Sequence, residues 1–157
     1  MSEEELIKIH IDLPNHWATG GESMWAKPLG DNLYQIENVP FFAYGLNYLD
    51  IVRAESDSAE RQPEIKELIT PSGHRTFRVI FRKHIERQQQ DEVLNSLKEF
   101  SISYERASAN SISLDMQPSG DYQSVFDQLD ELLKEDILGF ETCEERVSGS
   151  FDDVPEN

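Results

Sequence analysis

The run Asn38-Val39-Pro40-Phe41-Phe42-Ala43-Tyr44-Gly45-Leu46-Asn47-Tyr48-Leu49-Asp50-Ile51-Val52 constrains the fold more than any other part of the chain. Phe41, Phe42, Tyr44 and Tyr48 crowd around one proline and one glycine. Pro40 fixes its own φ and pushes Val39 toward extended backbone. Gly45 admits φ > 0, so the chain can turn there without a side-chain clash. Burying a ring of this kind is worth roughly 1.5–3 kcal/mol. The segment is therefore expected to be a buried, sharply turned connection that delivers the chain into a strand beginning near Tyr48.

The chain before this run alternates with a period of two. Ile7, Ile9 and Ile11 oppose Lys8, His10 and Asp12, which predicts a half-buried strand over 6–13, closed by Pro14-Asn15. Gly20-Gly21 reads as a flexible loop. A strand over 23–29, the turn Gly30-Asp31-Asn32 and a strand over 33–37 form an expected hairpin. A fourth strand is expected over 48–55, a polar mobile loop over 56–63, and a fifth strand over 64–70 in which Ile65 and Leu68 fall out of alternation. Five short strands before Pro71 suggest a small, strongly bent sheet or barrel.

After Pro71-Ser72-Gly73 the pattern changes. Phe77, Val79 and Phe81 share one face of a strand over 76–83, and Arg78, Ile80 and Arg82 the other. Asp91 is the expected N-cap of a helix running to Phe100. Strands follow over 101–106 and 111–116. Asp121 opens a second helix whose stripe is Tyr122, Val125, Phe126, Leu129, Leu132 and Leu133. A last strand is expected over 137–143. The order is β-α-β-β-α-β, the ferredoxin-like order. The fold class expected is α+β: a small bent β-sheet or barrel subdomain over 1–72, a ferredoxin-like subdomain over 73–145, and a disordered acidic tail over 146–157.

The charge narrows function. Against 14 basic residues stand 31 acidic ones, a net charge of −17 in 157 residues. Such a chain repels phosphate, so nucleic acid and anionic membrane are not expected partners. Asp121 to the C-terminus carries twelve carboxylates against Lys134 and Arg146. Asp127, Asp130 and Glu131 lie opposite the apolar stripe of the second helix. With Glu135, Glu141 and Glu144 they are the expected contact residues for a basic partner, since complementary charge speeds encounter and sets specificity. The alternative for such a run is an ordinary solvated face.

Other constellations read as structure. His10, His16, His74 and His84 lack metal-pair spacing, so no metal is expected. Gly20, Gly21 and Gly73 match neither a phosphate loop nor a dinucleotide fingerprint, so no cofactor is expected. Cys143 beside Glu144 lacks the positive surroundings of a reactive thiolate and is expected to be structural. Its solitude, with an N-terminus lacking signal-peptide character, points to a reducing cytoplasmic compartment. Arg75, Arg78 and Arg82 belong to a basic cluster read as charge compensation, with an anion site as the competing reading. No paired nucleophile and base occurs, so an enzyme is not expected.

The run Asn38 to Gly45 followed by Asp50-Ile51-Val52, the block Ser72-Gly73-His74-Arg75-Thr76-Phe77-Arg78-Val79, and Trp25-Ala26 together resemble a bacterial family of small cytoplasmic proteins classed as a domain of unknown function. The resemblance spans roughly Ile9 to Glu141 and implies no established activity. Some relatives stand beside polymorphic secreted toxins. The resemblance therefore implies an immunity protein for a cognate toxin, and the net charge of −17 implies that the toxin surface is basic, as expected of one acting on nucleic acid, nucleotide cofactors or translation factors. The alternative expectation is a small-ligand regulatory module in which Arg75, Arg78 and Arg82 hold an anion.

Overall fold

In the computed structural model, which describes residues 5–58 and 61–155, nine strands and two α-helices divide between a closed barrel and a four-stranded sheet. The barrel takes β1 (Ile7–Asp12), β2 (Gly21–Gly30), β3 (Leu33–Ile36), β4 (Ile51–Glu55) and β5 (Glu64–Thr70). Successive strands pair antiparallel. Closure is parallel, at His10 and Glu64, where the His10 N–H donates to the Pro63 carbonyl at 2.8 Å. Alternation places Ile9, Ile11, Met24, Ala26, Val52 and Ala54 inside. Ile65 and Leu68 join them because the β4–β5 register shifts between Arg53 and Ala54. That bulge leaves Lys66 and Glu67 both outward, which is why β5 looked out of phase in the sequence. Ala59 and Glu60 of the expected mobile loop lie outside the described residues.

The second sheet contains β6 (Arg75–Phe81), β7 (Ile102–Arg106), β8 (Ser111–Met116) and β9 (Leu138–Thr142), all antiparallel in the order β7-β8-β6-β9. Helices α1 (Arg87–Ser96) and α2 (Tyr122–Lys134) contribute Leu94, Val125, Leu129 and Leu132 to a core with Phe77, Val79 and Phe81. Asp121 caps α2 as expected, accepting from the Ser124 N–H at 3.2 Å.

Two expected boundaries move. Helix α1 begins four residues before Asp91, because Glu86 and Gln89 form a reciprocal capping box. Its last expected turn, Leu97–Phe100, is a 3₁₀ turn. Strand β4 starts at Ile51 rather than Tyr48. Leu49 sits at φ 68° and the Asp50 carboxylate accepts the Asn47 N–H at 2.8 Å, which closes a turn where a strand was expected.

A larger correction concerns the C-terminus. Residues 146–155 are not a disordered acidic tail; Glu156 and Asn157 lie outside the described residues. Phe151 inserts into the barrel core and its carbonyl accepts the Tyr44 N–H at 2.9 Å. Asp152 is buried and accepts the Asn15 N–H at 2.8 Å. A single aromatic and a few directional bonds outweigh a polar composition.

Candidate protein-binding face and the seam beside it

The 38–52 run lies where the barrel meets the helix-free face of the second sheet. Ala43, Tyr44 and Leu46 are fully buried, whereas Phe41, Phe42 and Tyr48 are only half-buried. Gly45 turns as expected, at φ +78°. A Cβ there would stand 3.3 Å from Cβ and 3.4 Å from Cα of Glu145, so the turn also needs the missing side chain.

Two buried charges of opposite sign grip this run. Glu22 of β2 accepts the N–H groups of Phe41 (2.6 Å), Phe42 (3.0 Å) and Ala43 (2.9 Å). Arg78 of β6 donates to the carbonyls of Phe42 and Ala43, each at 3.0 Å, and to Pro40 at 3.4 Å. Its Nε donates to Glu141 at 3.1 Å. An arginine fork suits several carbonyls at once because its five donors are planar and fixed. Ser113 adds a bond to the Pro40 carbonyl at 3.1 Å.

Glu141 is thereby drawn into the seam and left half-buried. Besides Arg78 it accepts from the Tyr44 hydroxyl at 2.7 Å and Arg146 at 3.1 Å. Desolvation, then the Glu141 carboxylate, pushes the Tyr44 phenol up to about 12. Glu144 accepts from Arg75 and from the Tyr122 hydroxyl, both at 2.7 Å. Burial opposes ionisation of Glu144, but its hydrogen bonds outweigh burial and hold its pKa below the usual carboxylate value. These two of the six expected contact residues are thus engaged within the chain.

The other four lie on or beside α2. Asp127, Glu131 and Glu135 recur at four-residue spacing on its outer side and are exposed. Asp130 is half-buried and pairs with Lys134 at 3.1 Å. Asp136, just past the helix, pairs with Arg82 at 3.2 Å.

The arginines are compensated one by one: Arg75 by Glu144, Arg78 by Glu141, Arg82 by Asp136. Arg75 also lies 3.6 Å above the Tyr122 ring. Arg78, 7% exposed, spends its donors on the seam, so the three do not converge on a shared anion.

Three of the four histidines serve local structure. His10 pairs with Asp12 at 2.7 Å and His74 with the buried Asp115 at 2.9 Å. His16 stacks on Trp17 and Tyr44, and its Nδ1 accepts the Ala18 N–H at 2.9 Å. Burial pulls its pKa down. Among the described residues no group of three or more His, Cys, Asp or Glu is placed to hold a metal ion. No helix among them is long and apolar enough to cross a membrane.

Cys143 is buried, and desolvation pushes its thiol up to about 12. Thiolate is the reactive form, so the native chain at pH 8 should be silent toward Ellman's reagent and release one equivalent of chromophore on denaturation. Rapid labelling of the native protein would contradict the burial of this side chain.

Sequence reasoning missed Glu22, whose partners are backbone groups and leave no pattern. It also passed over Trp17, 63% exposed, and Ile80, 45% exposed. Ile80 did leave a signal: an isoleucine on the arginine side of β6.

Residues 22–140 match the model of a family described as a domain of unknown function (DUF4265). No curated protein matches the chain. Among solved structures, a crystal structure titled as that of a hypothetical protein from Neisseria gonorrhoeae is similar, with a TM-score of 0.76 at 18% identity, covering 91% of this chain and 97% of that one. At that identity the likeness concerns the fold alone.

Proposed function

The chain belongs to the DUF4265 family, and from that premise we propose that it is a binding protein: an acidic immunity protein that occludes a cognate toxin with a basic surface, inside the cell that makes both. The observation that carries this reading is the exposed row Asp127, Glu131 and Glu135 along α2, in a chain of net charge −17. A field of one sign raises the encounter rate with an oppositely charged partner by roughly 10–10³-fold at low salt. The helix is a rigid platform for it, since Val125, Leu129 and Leu132 anchor its inner side. The mechanism is steric cover with electrostatic steering and no chemistry of its own. The antiparallel order β7-β8-β6-β9 and its β-α-β-β-α-β connectivity support reading the second half as ferredoxin-like.

The test is co-expression with the product of the adjoining gene, followed by association kinetics. The expected result is a stable complex whose association rate falls steeply with salt. Combined Asp127→Lys, Asp130→Lys and Glu131→Lys should slow association at least about ten-fold at low ionic strength. Absence of a complex, together with indifference to the charge reversal, sinks the proposal.

A further inference from the structure

Steering charge alone rarely holds a complex. Tight interfaces centre on a few desolvated apolar or aromatic contacts surrounded by polar rim. The acidic row on α2 therefore poses a question: where is the anchor?

The helix-free face of the second sheet supplies one. The barrel and the 38–52 run cover Arg78 and Ser113 but leave the next positions bare. Ile80 is 45% exposed, and its cross-strand neighbour is Gly139, which carries no side chain. Trp17 stands at the border, stacked on His16 at 5.3 Å yet 63% exposed. Two adjoining hollows of about 170 and 280 Å³ open here, sharing Trp17, Arg78, Ile80 and Glu141. Phe41 and Phe42 line the first, and Arg82 and Gly139 the second. Side by side they form one open groove rather than an enclosing cavity, which suits side chains inserted from a surface better than a cofactor.

The second hollow borders the acidic C-terminal end of α2. Arg82, which lines the second hollow, is the residue that Asp136 pairs with, and Asp136 directly follows Glu135 at the end of α2. A basic segment held at the end of α2, by Glu135 and Asp136, is therefore beside the Ile80–Trp17 groove. A second copy of the chain is disfavoured as occupant, because it would bring another net charge of −17 against the first.

We propose that the Trp17–Ile80 groove is the anchor of the interface, and that its occupant is a segment of a basic protein presenting an apolar side chain flanked by lysine or arginine. The apolar side chain fills the hollows against Ile80, Phe41 and Trp17. The flanking cations meet Glu135 and Asp136. This inference rests on the proposed function and names the part of the surface that sets residence time, as distinct from the part that sets encounter.

A random peptide display library selected on the folded full-length chain tests it. Enriched peptides should carry an apolar residue flanked by basic ones. They should bind Ile80→Asp and Trp17→Ala at least about ten-fold more weakly, about 1.4 kcal/mol. Both positions are exposed, so circular dichroism and thermal melting should match the parent and exclude misfolding. In a Trp25→Phe background, Trp17 is the sole tryptophan and its emission should shift on peptide binding. Basic peptides that bind Ile80→Asp undiminished but lose affinity with the α2 charge reversal would overturn the anchor and leave the proposed function standing. Enrichment of acidic or neutral peptides, or no enrichment at all, would overturn both. A concentration-dependent dimer abolished by Ile80→Asp would assign the groove to a second copy instead.

Discussion

Replacing Arg78 with methionine lowers the stability of the fold by about 3–5 kcal/mol, the cost of breaking a buried ion pair from one side. The substitution removes one of three partners of Glu141, which keeps Tyr44 and Arg146, and leaves the carbonyls of Phe42 and Ala43 without a donor in a buried place. Methionine matches the length of the stem but supplies no donor. Lysine retains charge but replaces the planar fork with a single point, so Arg78→Lys should recover only part of the loss. Against a typical total of about 5–15 kcal/mol, the methionine variant should lose a large fraction of its stability. Urea denaturation measures the difference directly. A loss under about 1 kcal/mol, the worth of an ordinary exposed pair, would mean that water replaces the guanidinium and the seam is wet.

The second large effect is expected at Phe151. Truncation to alanine should cost about 3–5 kcal/mol, as for other buried phenylalanines. It empties a position shared with Ala43, Leu46 and the β-strand residues of the barrel. Glutamyl endoproteinase provides an independent readout. Cleavage in the 144–146 region should be slow in the parent and fast in Phe151→Ala. An unchanged melting temperature would restore the disordered tail that the composition alone suggests.

These two residues also mark where sequence reading stops. Alternation made β1, β2 and β6 legible, because each has one face in a core and the period of two survives in the residue order. The apolar stripe and Asp121 did the same for α2. The start of α1 was hidden because its first turn is Arg87-Gln88-Gln89-Gln90, with no apolar marker. Gln90 is nonetheless buried, held by Asn110 and Arg106. Charge compensation of the arginines was legible as a principle. The identity of the compensating carboxylates was not, since Arg78 and Glu141 are 63 positions apart. Of the six expected contact residues, Asp127, Glu131 and Glu135 face outward, while Glu141 is half-buried against Arg78 because β9 runs beside β6, and Glu144, though exposed, is engaged by Arg75 and Tyr122. The exposure of Trp17 left no trace, and that of Ile80 only its place on the arginine side of β6, since exposure depends on what fails to cover a residue.

The run 40–43 is gripped from both sides, its N–H groups by a glutamate of the barrel and its carbonyls by an arginine of the sheet. Opening the seam therefore strands the Arg78 donors on one side and the carbonyls of 40–43 on the other. A chain cut at Gly73 would leave Glu22 holding a loop whose carbonyls face solvent, and Arg78 with Glu141 as its remaining partner. The two sheets are thus one thermodynamic unit. They should melt in a single transition with equal calorimetric and van't Hoff enthalpies, and pieces made separately should not fold. Duplication or shuffling of either half would be barred for the same reason, so the seam constrains the heredity of this architecture as much as its stability.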